Sequence, residues 1–307
     1  MPVVAMGLYA FYVEETGKLM RDKRFKYAYK VDMYSDTTAA KILKLVGRGK
    51  RVLELGCGPG HMSQVLREDL GCLVTGIEID PDAAKEAGRY CEDVIVCNLD
   101  EIDLTNLFER QPFDVVIMAD VLEHLKAPER TLLQCKGLIQ DNGFVVISIP
   151  NVAHAGIVAS LMQAQFPYSD IGLLDSTHLR FFTGPSFRSL LRRVGYCIDH
   201  WQAHEVPVEF TEFAPTFNGL PKPVREFLFK CPDSNVYQFI LKVRPVLSDE
   251  QDFLSQRLDM DIEKSIKERD IWMKNNYSCK CPSNLGQKQK GKFSDLVKKF
   301  LGIKNLR

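Results

Sequence analysis

Arg51-Val-Leu-Glu-Leu-Gly-Cys-Gly-Pro-Gly60 is the stretch that decides how this chain folds. A short apolar run, Arg51–Leu55, passes through glycines at positions 56, 58 and 60, and helical spacing (Met62, Val65, Leu66) follows at once. Glycines there let the chain turn tightly and let a ligand lie against the backbone at a helix N-terminus. The same alternation continues to Val152, with apolar runs at Cys72–Ile79, Val94–Cys97, Phe113–Ala119 and Gly143–Ile149. These runs are nearly continuous in Val, Ile and Leu, as in parallel strands buried on both faces. Between them lie helical patterns such as Leu132, Leu133 and Leu138, and Asp80 before Pro81 reads as an N-cap followed by proline in the first turn.

Strand alternating with helix predicts an α/β fold with a doubly wound, mostly parallel sheet, Rossmann-like in character. Gly195–His200 and Asn235–Val243 read as two further strands, an antiparallel pair at the sheet edge, which brings the sheet to seven. Ser186–Val194 reads as another helix. Residues 50–245 are therefore taken as the main domain, with a proline- and aromatic-rich insertion at about 207–232. Residues 1–49 form an N-terminal cap holding aromatics (Phe25, Tyr27, Tyr29, Tyr34) and a helix, Thr37–Val46. Residues 246–307 form a helical C-terminal extension: Leu254, Leu258, Ile262 and Ile266 recur every fourth residue, and a lysine-rich segment leads to a short basic amphipathic helix (Phe293, Leu296, Val297, Phe300, Leu301).

Composition narrows the class. With 307 residues, 45% hydrophobic and 26% charged, the chain has the make-up of a soluble globular protein. Forty basic and forty acidic residues cancel, and no basic patch lies in the main domain, which speaks against a nucleic-acid partner. The nine cysteines show no zinc or disulfide spacing, Cys279 and Cys281 being the close pair, so a reducing, cytoplasmic compartment is expected. No signal-peptide pattern opens the chain, and no apolar run approaches the ~18 residues of a membrane span. The basic tail could touch the inner face of a membrane weakly, and nothing in the sequence speaks to oligomeric state.

The spacing Gly-x-Gly-x-Gly departs from the Gly-x-Gly-x-x-Gly pyrophosphate fingerprint. Glu54, two residues before the first glycine, would repel a pyrophosphate and suit a cationic ligand. The second strand ends at Glu78, about 20 residues on, where a carboxylate binds ribose hydroxyls in such folds. Val52–Gly60 resembles motif I of the class I methyltransferases that use S-adenosylmethionine (SAM), and Val74-Thr-Gly-Ile-Glu78 resembles their acidic second-strand end. The resemblance implies SAM as cofactor, gripped by Glu54, Gly56, Gly58, Gly60, Glu78 and Asp120. Asn98 falls where the family usually has an acid for the adenine amine, with Asp100 as the alternative.

The fourth run delivers Asp120-Val-Leu-Glu123-His124 to the carboxyl edge of the sheet. If a helix begins there, Asp120, Glu123 and His124 share one face. Oxygen and imidazole donors together suit a divalent cation such as Mg. The element resembles that of ubiquinone-type and small-RNA 2′-O-methyltransferases, whose downstream histidine matches His178, so Asp120, Glu123, His124 and His178 are the candidate metal ligands. Without a metal, His178 or His154 becomes the favoured base, with His124 a further candidate; His61, His200 and His204 are read as uninvolved.

The runs Ile149–His154, Phe166-Pro-Tyr168 and Gly172–Thr183 resemble methyltransferases of bacterial surface-glycan assembly. That resemblance implies O-methylation of a sugar hydroxyl. A small phenolic or quinone-like acceptor is the alternative, and a non-catalytic SAM-binding scaffold of a glycan-assembly complex is the alternative of another class.

Overall fold

The computed structural model describes Phe25 and residues 31–108 and 113–246. Tyr27 and Tyr29, the Leu254–Ile266 helix and the basic tail lie outside the described residues. Helix α1 (Thr38–Val46) is capped by the Thr37 hydroxyl, which accepts from the Ala40 amide, and leads into β1 (Arg51–Leu55). There follow α2 (His61–Glu68), β2 (Leu73–Glu78), α3 (Pro81–Ala87), β3 (Asp93–Val96) and β4 (Phe113–Ala119). Then come α4 (Pro128–Lys136), β5 (Ile139–Pro150), α5 (Ala155–Met162), α6 (Gly184–Arg193) and β6 (Tyr196–Glu205). Two short helices, α7 (Ala214–Asn218) and α8 (Lys222–Phe229), precede β7 (Val236–Pro245).

The seven strands lie in the order β3-β2-β1-β4-β5-β7-β6. The first five are parallel, while β7 runs antiparallel to both β5 and β6. The expected antiparallel pair is present, with β7 the inserted strand and β6 the edge.

Alternation along each strand sorts its side chains onto two faces. Leu53, Leu55, Val116, Met118, Val145 and Ile147 join one core, closed by Leu132 of α4 and Phe187 and Leu190 of α6. Val52, Val115, Ile117 and Val146 join the other, closed by Ile42 and Leu43 of α1 and Val65 and Leu66 of α2. Burial on both faces is why the strands read as unbroken apolar runs. At ~1.5–3 kcal/mol for each fully buried large aliphatic side chain, these two layers are the main source of stability. The stretch read as an insertion supplies a third, smaller core in which Phe213, Phe217 and Leu228 pack on Ile157 of α5 and on Leu173 and Leu174.

Strand order reverses at β1, with β2 on one side and β4 on the other. In open parallel sheets the carboxyl ends flanking such a reversal form the ligand crevice. No helix among the described residues is long and apolar enough to cross a membrane.

Candidate active site

A cleft of about 920 Å³ opens at those carboxyl ends. The loop after β1 forms its floor. Gly56, Gly58 and Gly60 have φ of 67°, 53° and 86°, the left-handed region that favours glycine. A Cβ on Gly56 would lie 2.9 Å from Val121 Cγ2, so the missing side chain lets the segment after β4 sit directly on the loop. A Cβ on Gly60 would lie 2.8 Å from Ala87 Cα, so α2 and α3 owe their close approach to it. A Cβ on Gly58 would meet nothing within 4 Å. The first and third glycines serve packing, and the middle one borders the open cleft.

Glu54 is buried in the floor, where its Oε2 accepts from the Ser63 hydroxyl at 2.6 Å. Burial pushes its carboxyl up to about 8 against the opposing effect of that hydrogen bond. Glu78, at the end of β2, accepts from the Gly58 amide at 2.7 Å through Oε2 and from the Ile79 and Asp80 amides at 2.9 and 3.0 Å through Oε1. Asp80 is the N-cap of α3, as expected, with its Oδ1 accepting from Asp82 N at 2.9 Å. Asn98 borders the cleft, but its side chain is engaged locally: Oδ1 accepts from the Asp100 amide and Nδ2 donates to Glu101. Asp100 also borders the cleft, and its carboxylate accepts from the Lys126 amide.

The segment after β4 departs from expectation. Asp120 takes a left-handed φ of 54°, and only a single 3-10 turn, Leu122–His124, follows. Asp120 and Glu123 therefore do not share a helix face. Oδ1 of Asp120 accepts from the Ser148 hydroxyl at 2.7 Å, and Gln238 Nε2 donates to both carboxylate oxygens at 2.9 and 2.8 Å. Burial raises the Asp120 carboxyl, and these two donors pull it back. Held this way, Asp120 stands apart from the candidate metal ligands.

Glu123, His124 and His178 do converge, offering one donor atom each within 4.8 Å of one another. Glu123 is buried, and neither of its carboxylate oxygens has a hydrogen-bond partner. Burial pushes its carboxyl well above the usual range, helped by the negative charges of Asp120 and Asp175. His178 Nε2 lies 4.0 Å from Glu123 Oε1, while its Nδ1 lies 3.3 Å from the Leu173 carbonyl. Donation from Nδ1 to that carbonyl leaves Nε2 as the acceptor nitrogen facing the glutamate. The Glu123 carbonyl accepts from the amides of Leu179 and Arg180, which fastens the His178 loop across the sheet edge. His124 meets the His178 ring edge-on at 4.8 Å, and Thr177 hydrogen-bonds its Nδ1 at 3.1 Å.

His154 is elsewhere. It is buried at the N-cap of α5, with Nδ1 accepting from Gly156 N and Nε2 2.9 Å from the Val206 carbonyl. Both nitrogens are consumed by backbone, and burial lowers its pKa. It does not border the cleft, and neither nitrogen is turned toward an acceptor there. His61, read as uninvolved, borders the cleft, as do Thr38 and Gln238, which carry no signal in the sequence that would single them out.

Residues 27–200 match the family model described as a methyltransferase domain, which is more than half of the chain. The chain belongs to that family. Its sheet and glycine loop are those of the class I, SAM-dependent methyltransferases, as the resemblance of Val52–Gly60 implied. Among curated proteins it is 36% identical over 106 residues to a ubiquinone biosynthesis O-methyltransferase of Paraburkholderia phymatum, covering 34% of this chain and 45% of that protein. It is 29% identical over 126 residues to the protein of the same name from Glaesserella parasuis, covering 38% and 52%. The chain thus spans about half the length of the curated relatives it matches. A solved structure, the Burkholderia thailandensis 1,6-didemethyltoxoflavin-N1-methyltransferase with bound 1,6-didemethyltoxoflavin and S-adenosylhomocysteine, is 18% identical over 80% of this chain and 89% of its own, with a TM-score of 0.46. A likeness of that degree carries no weight by itself.

Proposed function

We propose that this methyltransferase domain transfers the methyl group of SAM to a hydroxyl oxygen, with the reaction centred on Glu123, His124 and His178. The observation that carries this reading is the buried Glu123 carboxylate, without a hydrogen-bond partner and facing two imidazoles at the cleft. An orphaned buried carboxylate is costly unless it is neutral or meets a cation, and such groups mark functional sites.

The cleft suits SAM. The buried acid Glu54 lies under a loop whose middle glycine is open, and Glu78 is fixed at the end of β2 where ribose hydroxyls are held in such folds. When bound, SAM supplies an electrophilic methyl on a sulfonium leaving group. The chain's own part is alignment, exclusion of water and handling of the acceptor proton. His178 Nε2 is the nitrogen placed to take that proton. The three donors also fit a divalent cation such as Mg or Mn, which would lower the pKa of a coordinated hydroxyl. Vicinal hydroxyls would chelate such an ion, so the acceptor class is a diol. The curated relatives' printed role in ubiquinone biosynthesis favours a phenolic or quinone-like acceptor, and so does Phe181, whose ring lies edge-on to both His178 and Phe166. A sugar diol, the acceptor implied by the glycan-assembly resemblance, draws no support from those names.

The test is calorimetric titration of S-adenosylhomocysteine and then Mg or Mn into chelator-treated protein, with a Glu123→Ala/His124→Ala variant alongside. Methyl transfer to catechols and to sugar diols is assayed in parallel. Cofactor binding in both proteins, with metal binding and turnover lost in the variant, is expected. Absence of S-adenosylhomocysteine binding by the wild type would overturn the methyltransferase reading. Turnover that survives chelation would remove the cation and leave His178 as a simple base. Cofactor binding without turnover on any hydroxyl acceptor would favour a scaffold.

A further inference from the structure

The carboxamide of Gln238 joins three elements remote in sequence. Its Nε2 donates to both oxygens of Asp120 after β4, and its Oε1 accepts from Thr38 Oγ1 in the first turn of α1 at 2.5 Å. Gln238 itself stands on β7, in register with Pro150 of β5 and with His204 of β6. The amide cannot reverse without setting its carbonyl against a carboxylate and its NH₂ against the Thr38 hydroxyl. Ser148 completes the clamp: its hydroxyl donates to Asp120 Oδ1 and accepts from the Asp120 amide at 3.0 Å. Asp120 has a left-handed φ of 54°, a conformation an L-residue keeps only when its surroundings over-determine it. All of Thr38, Asp120 and Gln238 border the cleft.

Strand order says which part of the cofactor would meet this clamp. Glu78 ends β2 and Asn98 follows β3, on one side of the glycine loop, and Asp120 follows β4 on the other. An adenosine lying against β2 and β3 directs the amino-acid end of the cofactor toward β4. There, Val121 already rests on Gly56. Asp120 is a carboxylate bordering the cleft at that point, and a free α-ammonium is the cation that end carries.

We propose that Gln238 is a positioning residue for the cofactor's amino-acid end, holding the Asp120 carboxylate in place to receive the α-ammonium. The inference rests on the SAM reading of the cleft. It makes β7 part of the cofactor subsite, though its sequence lies outside the glycine-loop region that carries the family resemblance.

The test compares two ligands that differ only at that end. S-Adenosylhomocysteine carries the amino acid; 5′-methylthioadenosine keeps the nucleoside and thioether without it. Dissociation constants are measured by calorimetry for wild type, Gln238→Met, Asp120→Asn and the double variant. Gln238→Met should weaken S-adenosylhomocysteine at least tenfold and leave methylthioadenosine within twofold, and Asp120→Asn should do the same. The double variant should lose no more than Asp120→Asn alone, since Gln238 acts through that carboxylate. Equal weakening of both ligands would assign Gln238 a merely structural role and overturn the proposal, as would unchanged S-adenosylhomocysteine affinity. If Gln238→Met fails to fold, Asp120→Asn must still separate the two ligands, and its failure to do so overturns the proposal. A wild type that binds neither ligand would overturn the cofactor reading, and this inference with it.

Discussion

Replacing Glu54 by glutamine asks whether the floor of the cleft is destabilised for the sake of its ligand. Burial holds the Glu54 carboxyl protonated up to about 8, against 4.5 in an ordinary glutamate. In the unfolded chain the same group releases its proton near 4.5. Raising the pH from 4.5 to 8 therefore favours the unfolded chain, so this group costs the ligand-free wild type stability across that window and no further above it. At ~1.4 kcal/mol per pKa unit the full effect approaches about 4–5 kcal/mol, and relaxation of the site should leave roughly half. Glutamine has the shape of the protonated acid, can still accept from the Ser63 hydroxyl, and has no proton to lose. Between pH 5 and pH 8 the melting temperature of Glu54→Gln should rise relative to wild type by ~5–10 °C, at 2–4 °C per kcal/mol for a domain of this size. The assay is thermal unfolding of both ligand-free proteins at closely spaced pH values. Saturating S-adenosylhomocysteine should narrow the gap, because its ammonium favours the ionised form of the wild-type carboxyl. A melting-temperature difference constant from pH 5 to 8.5 would refute the assignment of Glu54 as a buried acid under strain.

Three further outcomes follow from the same geometry. Gly60→Ala forces a methyl to within 2.8 Å of Ala87 Cα at a φ of 86° and should cost about 3 kcal/mol in unfolding experiments, whereas Gly58→Ala should cost about 1 kcal/mol and instead weaken S-adenosylhomocysteine in a titration. His154→Ala leaves the Gly156 amide and the Val206 carbonyl unpaired, so a loss of about 2–3 kcal/mol by denaturant unfolding is expected with cofactor affinity unchanged; lost turnover without lost stability would restore His154 as a base. Tyr196→Phe removes the buried hydrogen bond to the Leu132 carbonyl, a loss of about 1 kcal/mol, read as a lower denaturant midpoint with an unaltered slope.

The sequence by itself determined the order of the elements and the place of the cleft. Unbroken apolar runs separated by helical patterns admit little other than a parallel sheet covered on both faces, and the Asp80-Pro81 cap and the glycine loop are local chemistry written within a few residues. Glu54 and Glu78 were legible for the same reason, since their positions are set by distance along the chain from the first glycine. His178 was legible by resemblance, and its meeting with Glu123 and His124 is what the sheet edge and the His178 loop then provide.

Tertiary structure decided what depends on partners far away in sequence. Asp120 reads like a fourth ligand until Ser148 and Gln238, on strands β5 and β7, capture its carboxylate and the chain turns left-handed there. His154 reads like a base until the Gly156 amide and the Val206 carbonyl take both of its nitrogens. Gln238 carries no local pattern at all; its role arises only because an antiparallel β7 inserts beside β5 and faces α1. Backbone periodicity is a short-range property and can be read from neighbours, whereas the fate of a polar side chain is settled by whichever donor or acceptor the fold brings within about 3 Å.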